Sequence, residues 1–339
     1  MVLLARYEKR VAINGFGRIG RLAARNLIHH SKLELVAVND LTDIQTLAHL
    51  FQYDTAHRKY QGSVHIEGDN ILVNGKQIKA FANAETQILP WKELDIDIIL
   101  ECTGVFLTRD KCKLHLDAGA KRVIISAPAK EEDIPTYVLG VNEMELSSDI
   151  EIISNASCTT NCLAPILKLI HTNFGIINAN MNTIHAYTQD QRLQDAPHKD
   201  LRRARAAGMN IIPTTTGAAK AVERVYPQIK GKLMASSYRV PVITGSLIEL
   251  YCTVSQEVNV DKVNQCFHNA SQVDLKGILE YSIDPLVSTD IIDNTHSSVF
   301  DSSLTEASGN QMKIVAWYDN EAGYAARLTD ICELLGSKL

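Results

Sequence analysis

Apolar and polar positions alternate along this chain in two rhythms, and the rhythm changes near the middle. Short apolar runs over residues 10–14 and 33–38 predict buried strands. Over 19–30 and 44–51 apolar residues recur every third or fourth position, which predicts helices. Strand–helix alternation at this spacing predicts a parallel sheet with right-handed crossovers. Residues 64–67, 70–73 and 76–80 interrupt it, and Asn74-Gly75 between two of these runs is a strong hairpin signal. The first rhythm resumes with a strand over 98–101, a helix over 109–118 and a strand over 122–126. From residue 178 the apolar runs lengthen, over 180–186, 233–240 and 245–255, with helical periodicity between them, as at 260–270. This predicts an α+β half on a mixed or antiparallel sheet. Between its first two strands lies a long polar stretch, 188–210, and a loop of that length inside a compact domain is usually functional. Residues 321–335 predict an amphipathic C-terminal helix.

Composition narrows the classes. The 339 residues suggest about two domains at roughly 150 residues each. The chain is 45% hydrophobic and 22% charged, ordinary for a water-soluble globular protein. A net charge of −5 gives no reason to expect nucleic acid. Residues 1–10 are too mixed for a signal peptide, and no apolar run nears the about 18 residues of a membrane span. Seven cysteines without framework spacing predict reduced thiols and a cytoplasmic location. Cys102, Cys252, Cys266 and Cys332 read as small buried hydrophobes.

Two stretches carry chemistry. Gly15-Phe-Gly17-Arg-Ile-Gly20 follows a predicted strand and opens a predicted helix, the context in which G-x-G-x-x-G signals a dinucleotide. Gly15 permits the tight turn, Gly17 lets the backbone approach a pyrophosphate, and Gly20 allows helix to pack on strand. Asp40, about 20 residues on, suits the ribose hydroxyls of NAD and repels the 2′-phosphate of NADP; its bland role is a cap for the next helix. The second stretch is Ser154-Asn-Ala-Ser157-Cys158-Thr159-Thr160-Asn161-Cys162. It precedes a helical pattern, so Cys158 falls near a helix N-terminus, where a thiol pKa is lowered. Pro165 predicts a kink in that helix. Cys162, on the same face, reads as a buried neighbour or a resolving thiol. No second pair matches its spacing, so no metal site is expected. His185 ends a strand-like run. Spacing alone does not place it beside Cys158, but thiol chemistry needs such a base.

Several long, correctly ordered motifs resemble the phosphorylating glyceraldehyde-3-phosphate dehydrogenases of the bacterial type: the two stretches above, Thr183-Ile-His185-Ala, Asp195-Ala-Pro-His-Lys-Asp-Leu-Arg-Arg-Ala-Arg205, Ile212-Pro-Thr-Thr-Thr-Gly217-Ala-Ala-Lys-Ala, Arg239-Val-Pro and Trp317-Tyr-Asp-Asn-Glu321. The resemblance runs from about residue 10 to near the C-terminus. It implies a Rossmann-type doubly wound NAD-binding domain, residues 1–157 with 320–339 returning to it, and an α+β catalytic domain over 158–319. It implies Cys158 as nucleophile and His185 as its base. Thr188 and Arg239 would hold the C3 phosphate of glyceraldehyde 3-phosphate. Thr159, Thr216 and Gly217, with Ser157 and Arg203, would hold inorganic phosphate. Arg18 and Ile19 would join the glycines at the pyrophosphate, Thr103 and Ser126 would make further cofactor contacts, Asn320 would fix the nicotinamide carboxamide, and Tyr324 would pack near that ring. Residues 188–210 resemble a loop that lines a neighbouring subunit's cofactor pocket, which implies a homotetramer, and Pro197 accords with NAD rather than NADP.

The chain departs from the family pattern in places. Ala322 stands where many relatives have tryptophan, Arg58 where glycine is common, and the segments around Arg239 and 242–245 are unusual; about nine extra residues precede the first strand. Two other functions share part of this pattern: erythrose-4-phosphate dehydrogenase, and a non-catalytic NAD-binding protein acting as a thiol redox sensor or binding RNA. Thr188 and residues 214–220 favour the triose enzyme, and the intact Cys158, His185, Thr188 and Arg239 disfavour a purely binding role.

Overall fold

The computed structural model describes residues 9–339. The residues preceding the first strand, on which the absence of a signal peptide and the extra length were read, lie outside that range. By internal contacts the chain divides into two units. Among the described residues, 9–137, 144–156 and 325–339 form the first, and 138–143 and 157–324 the second.

The first unit is built on one eight-stranded sheet. Strand β1 (Lys9–Asn14) leads through the glycine turn into α1 (Arg18–His29), followed by β2 (Leu33–Asn39) and α2 (Ile44–Gln52). The interruption is a three-stranded meander, β3 (Val64–Glu67), β4 (Asn70–Val73) and β5 (Lys76–Phe81). Then come β6 (Ile98–Glu101), α3 (Arg109–Asp117), β7 (Arg122–Ile125) and a short β8 (Ile152–Ser154) that the sequence reading does not assign. The order is β3-β4-β5-β2-β1-β6-β7-β8; β5 to β8 pair parallel, while β3, β4 and β5 pair antiparallel. Helix α1 forms because Leu22, Ala23, Leu27 and Ile28 fall on one buried face. Each such buried leucine contributes roughly 2 kcal/mol. The core beneath collects Trp91, Ile96, Ile99, Val123 and Ile134, all fully buried.

The second unit opens with α4 (Cys158–Phe174), closed at Gly175 in the left-handed region (φ 70). Its sheet follows: β9 (Ile176–Ala186), β10 (Ile212–Thr214), α5 (Ala218–Val225), β11 (Leu233–Val240), β12 (Ser246–Val254), α6 (Val260–Gln272), β13 (Leu279–Ser282), β14 (Ser298–Asp301), β15 (Glu306–Ser308) and β16 (Gln311–Tyr318). The strands run β10-β11-β9-β12-β16-β14-β13, with β15 paired to β16. The sheet is mixed, as the second rhythm implied: β9 pairs parallel with β11 and antiparallel with β12. Helix α7 (Ala322–Gly336) closes the chain. Pro165 does not break α4, which stays a single helix of 17 residues, although the proline has no N–H to donate within it. Arg58 adopts φ 64, the backbone region that explains why glycine is common at this position.

Candidate active site

In the second unit the register of β9 sets the chemistry. His185 pairs with Arg239 on the parallel neighbour β11, so the two side chains share one end of the sheet. The Cys158 Sγ lies 3.5 Å from His185 Nε2. On the other ring nitrogen, Nδ1 is 2.7 Å from the Ala186 carbonyl, and Arg239 Nη1 donates to the same carbonyl at 2.9 Å. Arg239 Nη1 also stands 2.5 Å from Nδ1. Nδ1 thus meets both a carbonyl, which accepts, and a guanidinium, which donates. In the tautomer whose Nδ1–H donates to Ala186, the Nε2 lone pair faces the thiol, as a base requires.

Charge and burial act together here. Burial lowers His185 to about 3 and the Arg239 charge reinforces it, so the ring is neutral at rest. The sequence led to an expectation of a depressed thiol at the start of α4. Burial instead pushes Cys158 up; the Arg239 charge and hydrogen bonds from Thr159 oppose it. The correction is physical: a helix N-terminus supplies only a partial charge, and desolvation of the thiolate outweighs it. Arg239 is therefore the full positive charge that favours thiolate.

Ser157 caps α4, accepting from Thr160 N at 3.2 Å, so its hydroxyl has a structural partner. Thr159 is buried, its hydroxyl 3.0 Å from Tyr318 OH, which also lies 2.9 Å from Thr183 Oγ1. The Tyr318 ring meets the His185 ring edge-on at 5.8 Å. Neither Tyr318 nor Thr183 has a role in the sequence reading, although both sit inside the quoted motifs; their places in those motifs were the available signal. Cys162 is buried and unoxidised, and burial raises its pKa, which fits the buried neighbour rather than the resolving thiol. Cys102 and Cys266 are only half-buried, against the expectation of full burial, while Cys252 and Cys332 are buried.

The anion-binding candidates fall into two states. Arg239 Nε is buried with no hydrogen-bond partner among the described residues. Arg203, in contrast, is already engaged: it pairs with Asp190 at 2.6 Å and donates to Thr214 Oγ1 at 2.6 Å and Thr215 Oγ1 at 3.2 Å. Thr188 is held against Gln191, N to Oε1 at 2.9 Å. Gly217 precedes α5 with no side-chain cap, and a Cβ there would meet open space. The α5 first turn carries no acidic residue, and Thr216 Oγ1 accepts from Ala218 N at 3.2 Å. Asn320 is buried. Ser246 Oγ donates to its Oδ1 at 2.9 Å, which fixes the amide and leaves Nδ2 without a partner among the described residues. Tyr324 is buried in α7, whose first residue Ala322 donates its N–H to Asp319 Oδ1 at 3.0 Å.

The first unit holds the remaining candidates at the carboxyl ends of its parallel strands. Gly15 has φ 93, and a Cβ on it would stand 2.6 Å from Thr103 N. A Cβ on Gly20 would stand 2.1 Å from Gly15 O, so only glycine lets α1 approach β1. A Cβ on Gly17 would meet nothing, which is the open approach a pyrophosphate needs. The start of α1 has neither side-chain cap nor acidic residue, so its N–H groups and Ile19 face an anion's side of the helix. These features fit a dinucleotide. Arg18 is bonded to Asp54. Asp40 accepts from Phe16 N at 2.7 Å and Thr42 N at 3.0 Å; the cap of α2 is Asp43, not Asp40. Thr103 is exposed, and Ser126 N donates to Glu101 O at 2.9 Å. Groups of metal-ligating side chains are absent among the described residues.

Comparison with known proteins agrees on both halves. Residues 9–109 match the family described as glyceraldehyde 3-phosphate dehydrogenase, NAD binding domain, and residues 157–320 match its C-terminal domain. The chain is 53% identical over 337 residues to the glyceraldehyde-3-phosphate dehydrogenase of Mycobacterium tuberculosis, covering 97% of this chain and 99% of that protein. It is 53% identical over 330 residues to the Thermotoga maritima enzyme (96% and 98%) and 50% over 331 residues to that of Geobacillus stearothermophilus (97% and 98%).

Proposed function

The chain belongs to the glyceraldehyde-3-phosphate dehydrogenase family, and from that premise we propose that it oxidises and phosphorylates D-glyceraldehyde 3-phosphate to 1,3-bisphosphoglycerate with NAD, through Cys158 and His185. The observation that carries the reading is the thiol 3.5 Å from Nε2 of a buried histidine whose other ring nitrogen meets the Ala186 carbonyl.

Sγ gives its proton to Nε2 and attacks the aldehyde carbon, and the new alkoxide takes that proton back from Nε2 to form the thiohemiacetal. Nε2 then accepts the hydroxyl proton as the carbon is oxidised and the C=O of a thioester forms. NAD, when bound, supplies the two-electron acceptor for that oxidation. Phosphate oxygen attacks the thioester, the S–C bond breaks, and the thiolate leaves with Arg239 near it. The residues that would hold NAD are Gly15, Gly17, Arg18, Ile19, Gly20, Asp40, Thr103 and Ser126 in the first unit, and Asn320 and Tyr324 in the second. Asp40 and Pro197 favour NAD over NADP.

Arg239 and Thr188 take the C3 phosphate; the partnerless buried Nε supports this, because a buried guanidinium N–H needs an acceptor. Inorganic phosphate meets Thr159, Thr216 and Gly217 at the uncapped start of α5, with Ser157 beside it. Arg203 acts there through Thr214 and Thr215 rather than as a free cation. A homotetramer is supported by residues 188–210, where Leu193 is 91% and Leu201 81% exposed on a loop cross-braced by its own hydrogen bonds. The free thiols and the lack of a membrane-length apolar helix among the described residues support a cytoplasmic place.

Initial rates of NADH formation on glyceraldehyde 3-phosphate and erythrose 4-phosphate, each with NAD and NADP, test the assignment. Fast turnover with the triose and NAD is expected. Faster turnover with the tetrose would reassign the substrate and keep the thiol chemistry. Binding of NAD without turnover on either aldehyde would favour the redox-sensor reading.

A further inference from the structure

At the carboxyl edge of the first unit's sheet a carboxylate is buried with no lysine or arginine paired to it among the described residues. Glu101 and His115 are both fully buried. Glu101 Oε1 accepts from Thr103 N at 2.7 Å and from the Thr103 hydroxyl. Oε2 accepts from Asn14 Nδ2 at 2.6 Å and faces His115 Nε2 at 3.2 Å. The polarity of this cluster is fixed from both ends. Trp91 Nε1 can only donate, and it meets His115 Nδ1 at 3.1 Å. The proton of His115 is therefore on Nε2, directed at Glu101. At the other end Asn83 N donates to Asn39 Oδ1, Asn39 Nδ2 donates to Asn14 Oδ1 at 2.8 Å, and Asn14 must turn Nδ2 to Glu101. The 3.4 Å approach of Asn14 Nδ2 and His115 Nε2 is two donors converging on one oxygen.

A buried carboxyl group with no cation beside it depends on its hydrogen-bond donors, and here four of them hold both oxygens in place. What this one holds is informative. Asn14, Asn39 and Glu101 are the last residues of β1, β2 and β6, and they face one another in register. Thr103 is exposed, and its N touches the place where Gly15 can have no Cβ. We propose that Glu101 is a positioning residue of the cofactor site, fixing through Thr103 and Asn14 the strand ends and glycine turn that receive the dinucleotide. This rests on the reading of that crevice as the NAD site.

Glu101→Gln replaces one acceptor oxygen by an N–H2, which must confront either the two Thr103 donors or the Asn14 and His115 donors. Calorimetric titration of the full-length apoprotein with NAD is the test, together with KM for aldehyde and phosphate at saturating NAD. The expected result is a rise of about tenfold or more in the NAD dissociation constant, with both other KM values within about twofold. Thr103→Val should raise the NAD constant on its own, and the double variant should raise it by less than the product of the two single fold-changes. If Glu101→Gln does not fold, His115→Phe removes one of the four donors and should raise the NAD constant about threefold. Unchanged NAD affinity in folded variants, with only the melting temperature lowered, would make Glu101 structural and overturn the proposal. Full additivity with Thr103→Val would do so too. Wild-type protein that fails to bind NAD would instead sink the reading of the crevice itself.

Discussion

In the first unit the polar groups at the strand ends are answered by the protein itself. Glu101 is met by four donors, Asp40 accepts two backbone N–H groups, and Arg18 is tied to Asp54. In the second unit the groups at the thiol keep spare capacity: Arg239 Nε and Asn320 Nδ2 lack partners among the described residues, and the thiol and imidazole rest 3.5 Å apart. One region offers a finished backbone surface; the other offers side chains waiting for atoms that are not protein. The pyrophosphate and riboses of a cofactor, which the reaction leaves unaltered, suit the first kind of site. A substrate whose charge and bonding change suits the second.

The sharpest way to break this contrast is to remove the nucleophile. Cys158→Ser should cut turnover by at least roughly four orders of magnitude while NAD affinity, owed mainly to the first unit, stays within about twofold in calorimetry. Loss of both together would show that the two regions are not separable in this way. His185→Asn should lower turnover by about a hundredfold to ten-thousandfold, and its effect on stability has a definite sign. In the folded chain His185 is lowered to about 3 from 6.5, so the unfolded chain binds the extra proton between those values. The stability held above pH 6.5 is lost as pH falls toward 3, and His185→Asn should flatten that decline in melting temperature; an identical slope would contradict the burial of a neutral ring.

Arg239 sharpens the comparison because one cation serves both anion binding and the thiol. Arg239→Leu should raise KM for glyceraldehyde 3-phosphate by about thirtyfold or more. It should also shift the pH profile of Cys158 alkylation to higher pH, since the Arg239 charge is what opposes burial. A shifted KM with an unmoved alkylation profile would separate the two roles. The smallest expected effect lies in the first unit. Arg58→Gly relieves a left-handed arginine (φ 64) and should raise stability by about 0.5 kcal/mol, measured by urea unfolding, with no change in kinetics.

The same contrast explains what the sequence disclosed. The glycine turn and Asp40 were legible because a backbone site is written contiguously: a strand, three spaced glycines and one acidic residue about 20 positions on. Physical reading of Cys158 went only as far as a helix start, and it overestimated that start against burial. That His185 stands beside Arg239 depends on the parallel register between β9 and β11, 54 positions apart in sequence, and that it meets the thiol depends on where α4 starts against the end of β9, 27 positions apart; no local pattern encodes either. The Tyr318 bridge between Thr159 and Thr183 is hidden for the same reason. Elements were lost where they were too short to show a period, as in β8 and β10 with three residues each. Strand β16 is long and apolar enough to be read, yet besides its short neighbour β15 it pairs with β12 and β14, which lie far from it in the chain or across a turn.

The most direct test is a rapid-mixing record of NADH formation from glyceraldehyde 3-phosphate and NAD, with and without inorganic phosphate. A Cys158 thioester that only phosphate discharges quickly predicts a burst of about one NADH per thiol without phosphate, followed by near arrest, and sustained turnover once phosphate is added. Equal steady rates with and without phosphate, and no burst, would contradict it.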